Sequence, residues 1–143
     1  LAFSAGVAAI VNGNLVLRFG MHRLTRRALY VIASLSWLIL LIGWLSEGQP
    51  PLWQFMGVFV CWFFCIGVVF GNINAMAMET LGHVAGSAAA VIGTLTTLMA
   101  VGLGWVIGNA YDGTILPMAI GFAVLTTISA LLTAVVEAPA HGH

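Results

Sequence analysis

The segment Arg18–Arg27, RFGMHRLTRR, holds every arginine of the chain, and no lysine occurs anywhere. On either side the sequence is almost unbroken hydrocarbon, LAFSAGVAAIVNGNLVL before it and ALYVIASLSWLILLIGWL after it. Arginine is costly at the depth of acyl chains and favoured at the membrane surface. A cationic island between two apolar runs therefore reads as a loop joining two spanning helices.

The rest of the chain agrees. It has 143 residues, 62% hydrophobic and 6% charged, with a mean hydropathy of +1.11. A soluble domain carries roughly 25% charged residues because its surface faces water. The class expected is an all-α, polytopic transmembrane helix bundle. A closed β-barrel needs short alternating segments, and these runs do not alternate. The formal net charge is zero, so bulk charge points to no nucleic-acid partner.

A spanning helix needs about 20 mostly apolar residues. Five runs qualify, 1–17, 28–45, 52–78, 84–110 and 115–136, followed by a tail over 137–143, all within one partial transmembrane domain. Leu1 already lies inside an apolar run and no basic leader precedes it, so the chain reads as a fragment. The Ser46–Pro51 turn (SEGQPP) carries proline where a new helix begins, and Asn109–Thr114 (NAYDGT) contains the turn dipeptide Asp112-Gly113. Lys and Arg collect in cytoplasmic loops. The arginine loop, the Glu79–His83 connection and the tail are then expected inside, and the loops bearing Glu47 and Asp112 outside. Trp44 and Trp53 flank the Ser46–Pro51 turn as an interfacial belt would.

Small residues let membrane helices approach one another. Gly67 and Gly71, Gly82 and Gly86, and Gly104 and Gly108 are GxxxG pairs and are expected to pack helices. Asn72 and Asn74 lie about 200° apart on a helix of 3.6 residues per turn, so both cannot face one cavity. Asn74 shares the glycine face and is expected to hydrogen-bond between helices, leaving Asn72 as the cavity candidate. On the next helix Ser87, Thr94 and Thr97 share a face, with Thr94 and Thr97 as further cavity candidates. Cys61 and Cys65 read as small apolar side chains.

No chemistry is evident. Glu79 and His83 stand at a metal-ligand spacing without an HExxH motif, and Gly86-Ser87 lacks the glycine of an intramembrane serine protease motif. No enzyme activity, metal or cofactor is expected. No Asp, Glu, Lys or Arg lies mid-span, so a titrating group for proton coupling would lie elsewhere.

Two stretches resemble a known family. GNLVLRFGMHR, Gly13 to Arg23, resembles the cytoplasmic loop motif Gly-x-x-x-Asp-Arg-x-Gly-Arg-Arg of the major facilitator superfamily. Gly13, Arg18 and Gly20 match, and Leu17 replaces the aspartate. The degenerate form is similar to the copy between helices eight and nine. GNINAMAMETLGHVAGSAAAVIG, Gly71 to Gly93, resembles helices ten and eleven of the Bcr/CflA-type drug-efflux branch.

The resemblance implies helices eight to twelve of a twelve-helix transporter of the bacterial inner membrane, with alternating access between two halves. It implies a missing N-terminal half, a small-molecule substrate and protons as partners, besides the lipid bilayer. Helices eight, ten and eleven would line the cavity, with nine and twelve peripheral. Gly13, Arg18, Gly20, Arg23 and Glu79 would form a cytoplasmic gate, with Glu79 as an arginine's partner. The alternatives are a sugar or metabolite carrier of the same superfamily and a non-transporting membrane scaffold.

Overall fold

The computed structural model describes residues 2–80 and 84–137. The expectations for Gly82, His83 and the tail beyond 137 lie outside those residues. The described chain is helical throughout, with α1 Ala2–Phe19, α2 Met21–Leu45, α3 Leu52–Thr80, α4 Ala85–Asn109 and α5 Leu116–Glu137. Four of these, α2 to α5, are long and apolar enough to cross a membrane. That length and composition suit an integral membrane protein.

The arginine window is not a loop. α2 begins at Met21 rather than at Ala28, so only Gly20 separates it from α1. Gly20 takes φ +75°, a left-handed conformation that side chains with a Cβ resist. Its N–H donates to Val16 O at 2.8 Å and its carbonyl accepts from Leu24 N at 3.1 Å, so both helices close upon it. Arginine and leucine are good helix formers, and Thr25, buried in the first turns, returns its hydroxyl to Met21 O at 2.8 Å. The expected loop is therefore replaced by helix, and the charged residues ride on the ends of α1 and α2.

The helices pack as a row in the order α1, α3, α2, α5, and α4 stands aside, with slight contacts to α5 and α3. The core runs between α2 and α3, from Ala28, Leu29, Ile32 and Ile39 to Phe59, Trp62, Val68 and Val69, with Ala8 and Ala119 at its margins. In lipid, such packing rests on close fit and interhelical hydrogen bonds, because tails are as apolar as leucine. Trp62 joins three helices. Its indole N–H donates to Ser36 Oγ on α2 at 2.8 Å, and its ring stacks on Phe122 of α5 at 4.8 Å. On the far side of α2, Trp37 Nε1 donates to Thr127 Oγ1 of α5 at 3.0 Å.

The small residues that permit close approach are not the expected ones. Ala119, Ala123 and Ala130 are buried along α5, and a Cβ at Gly43 of α2 would meet Ile115 Cδ1 at 3.1 Å. By contrast, a Cβ at Gly86, Gly104 or Gly108 would meet nothing within 4 Å. The expectation that these three pack helices is not met within this chain, because α4 lacks a neighbour on that side.

At the end of the bundle opposite the arginines, the two turns are clipped together. The Ile115 N–H donates to Gly48 O at 3.0 Å, and Gly48, at φ +81°, lies so close to Thr114 that a Cβ there would collide with it. Thr114 Oγ1 also accepts from Leu116 N at 3.2 Å, satisfying an orphan N–H at the start of α5.

Candidate solute-binding groove

Because α4 leans away from α3, a groove of about 440 Å³ opens between them. Ile66, Val69, Phe70, Ile73 and Met78 form its α3 wall, and Ala89, Ile92 and Gly93 its α4 wall. Its polar side chains are Asn74 and Thr96. Residues 66, 70, 73 and 74 recur at helical spacing, as do 89, 92, 93 and 96, so each wall is one face of one helix.

The two polar groups are matched in character. Asn74 Nδ2 donates to Phe70 O at 2.8 Å, which commits a donor to its own helix. Thr96 Oγ1 donates to Ile92 O at 2.8 Å and shares that proton with Gly93 O at 3.1 Å. What remains for a visitor is the amide Oδ1 and second N–H of Asn74 and the lone pairs of Thr96. An apolar groove with acceptor oxygens suits a lipophilic solute carrying N–H, O–H or positive charge.

The sequence-expected residues fall elsewhere. Asn72 is buried at the α1–α3 interface, where its Oδ1 accepts from Asn12 Nδ2 at 2.8 Å. The interhelical hydrogen bond expected of Asn74 is thus made by Asn72, and the groove position expected of Asn72 is held by Asn74. Gly71 lies beside the pair, its Cβ direction 3.6 Å from Asn12 Nδ2, and Gly67 is half-buried on α3. Thr94 is exposed on α4 and back-bonds to Ala90 O at 2.7 Å; Thr97 is exposed on the same helix. Neither lines the groove, and Thr96 between them does.

The proposed gate residues are dispersed. Gly13 has open space at its Cβ position. Arg18 lies in the last turn of α1 and Arg23 in the first turn of α2, both exposed, and Glu79 is exposed near the end of α3. Among the described residues no ion pair joins Glu79 to Arg18 or Arg23. Arg27, which sequence reasoning did not single out, sets its guanidinium 5.6 Å from the centre of the Phe19 ring, a cation–π distance. Cys61 and Cys65 are free thiols. They line an apolar recess with Phe3, Val7, Val31 and Leu35.

No family model, curated protein or solved structure matches this chain.

Proposed function

We propose that the chain is the C-terminal portion of a proton-coupled exporter of the major facilitator type, which moves lipophilic, hydrogen-bond-donating or cationic small molecules out of a bacterial cell. The α3–α4 groove carries this reading: apolar walls, with acceptor oxygens at Asn74 and Thr96. Supporting it, α4 is unburied through its spanning window, as befits a helix that faces a second half across a shared cavity. The α2–α5 pairing, by contrast, is close, as peripheral helices nine and twelve would be. The arginine end faces the cytoplasm in this reading.

The test is cellular. The complete open reading frame is expressed in bacteria stripped of their own exporters, and steady-state ethidium accumulation is measured. Export lowers accumulation several-fold, and an uncoupler restores it. Asn74→Leu and Thr96→Val weaken export of the cation more than of a neutral apolar dye. Unchanged accumulation, with the protein present in the membrane, would reject transport.

A second reading has one observation in its favour. The open side of α4, with Gly86, Gly104 and Gly108 uncovered, also suits a scaffold helix that docks a partner subunit. A stable partner co-purifying from the membrane, with no transport, would favour it.

A further inference from the structure

The arginine corner has a chemistry beyond setting orientation. α1 and α2 contain no acidic residue; the first in the chain is Glu47. Arg18, Arg23 and Arg27 are exposed, and among the described residues no carboxylate pairs with any of them. Arg23 and Arg27 stand one turn apart on the same face of α2. The contact of Arg27 with Phe19 turns that face back toward the end of α1, so Arg18 on α1 and Arg23 and Arg27 on α2 flank the one-residue break at Gly20.

The sign of the charge is the wrong one for this helix start. Gly20 offers no side-chain cap, and the first turn of α2 holds no acid. The positive end of the helix dipole therefore meets His22 and Arg23, where a negative charge is favoured. An anion from outside the chain would relieve both. The neighbours identify its source. Leu17 is 86% exposed and Phe19 44% exposed, so acyl-chain contacts and guanidinium groups are presented side by side. A free anion would use only the second.

We infer that this corner binds the headgroup of an anionic phospholipid. Arg18, Arg23 and Arg27 hold its phosphate, and Leu17 and Phe19 lie against its acyl chains. Arg26 is engaged within the fold and is not needed. The inference rests on α2 crossing the membrane and is independent of transport.

The test uses the whole chain in nanodiscs of mixed phosphatidylglycerol and phosphatidylcholine. Native mass spectrometry after release reads which lipid is retained, and a photoreactive phosphatidylglycerol headgroup reads where. Preferential retention of phosphatidylglycerol is expected, with cross-links concentrated between residues 17 and 27. Each Arg→Gln change should weaken retention about five-fold, as one basic residue near an anionic surface is worth. Arg→Lys at the same positions should keep most of it. Excess inorganic phosphate should not displace the lipid; if it does, the site is a free-anion site and the assignment fails. Equal retention of the two lipids by the wild-type chain, or cross-links spread over all helix ends, also overturns it. The wild-type arms do not depend on any variant folding.

Discussion

Asn12 and Asn72 share a single hydrogen bond, Nδ2 to Oδ1 at 2.8 Å, across the α1–α3 interface. The other half of each amide, Asn12 Oδ1 and Asn72 Nδ2, is buried with no partner. Unpaired polar groups are expensive in a medium that offers no hydrogen bonds. The pair therefore fixes how α1 sits on α3 in rotation and height: a shift of one residue would break the one bond made.

The two alanine substitutions should differ. Asn12→Ala strands the Asn72 amide, which is 1% exposed, whereas Asn72→Ala strands the less buried Asn12. Asn12→Ala is expected to be the more destabilising. The double variant should lie above the sum of the singles by about 0.6–1.7 kcal/mol, the span for interhelical bonds in membranes. Reversible unfolding in mixed micelles measures the cycle, and strict additivity would refute the coupling.

Trp62→Phe keeps an aromatic ring against Phe122 but removes the donor to Ser36 Oγ. A loss of about 1 kcal/mol is expected, read as a lower thermal midpoint in detergent. Trp44→Phe serves as the control, since Trp44 is 71% exposed and its change should leave the midpoint in place.

Gly48, in the turn between α2 and α3, and Gly104 and Gly108, near the end of α4, should respond oppositely. Gly48→Ala forces a Cβ into the left-handed region and into Thr114, and should cost at least about 1–2 kcal/mol. Gly104→Ala and Gly108→Ala meet open space and should leave this chain's stability unchanged or raise it by up to about 1 kcal/mol through helix propensity. If α4 packs on a second half, the same two changes lower transport by the complete protein. Normal transport by the double variant would place that packing elsewhere.

Acid should loosen the start of α5. The Thr114 hydroxyl and N–H both donate to Asp112 Oδ1, at 2.6 and 3.0 Å, and hold its carboxyl below the ordinary carboxylate value. A lowered value means the folded state prefers the charged form. The contribution is complete above the ordinary range, near pH 4, and fades as pH falls through it toward the folded value. Carboxyl NMR titration of Asp112 should show the depressed midpoint in wild type and its rise in Thr114→Val. An unshifted midpoint in wild type would remove the argument.

The helical class and four of the five expected spans follow from the sequence, because hydropathy over about 20 residues is a strong signal. The start of α2 was illegible for a related reason: charge marks the membrane boundary but does not say whether the backbone there is helix or loop, and Gly20 carried the break alone. The small-residue rule found glycines and not their neighbours. Gly104 and Gly108 stand at the right spacing but meet nothing within 4 Å, while the close approaches fall at Gly43 and the alanines of α5. Asn72 and Asn74 are separable by angle, since about 200° of helix lies between them. Which of them faced another helix depended on Asn12, sixty positions earlier, and no local pattern reports that pairing.

The Gly48–Ile115 clip has a mechanical consequence for α4. Just beyond it, Ile107 of α4 rests on Gly121 of α5, so the helix is held close to one extremity. At 1.5 Å per residue, α4 reaches about 33 Å from Ile107 back to Ala85, and a tilt of about 10° there sweeps the far extremity through roughly 6 Å. α4 is geometrically a lever with its fulcrum at the turns, and the groove beside α3 lies along its longer arm.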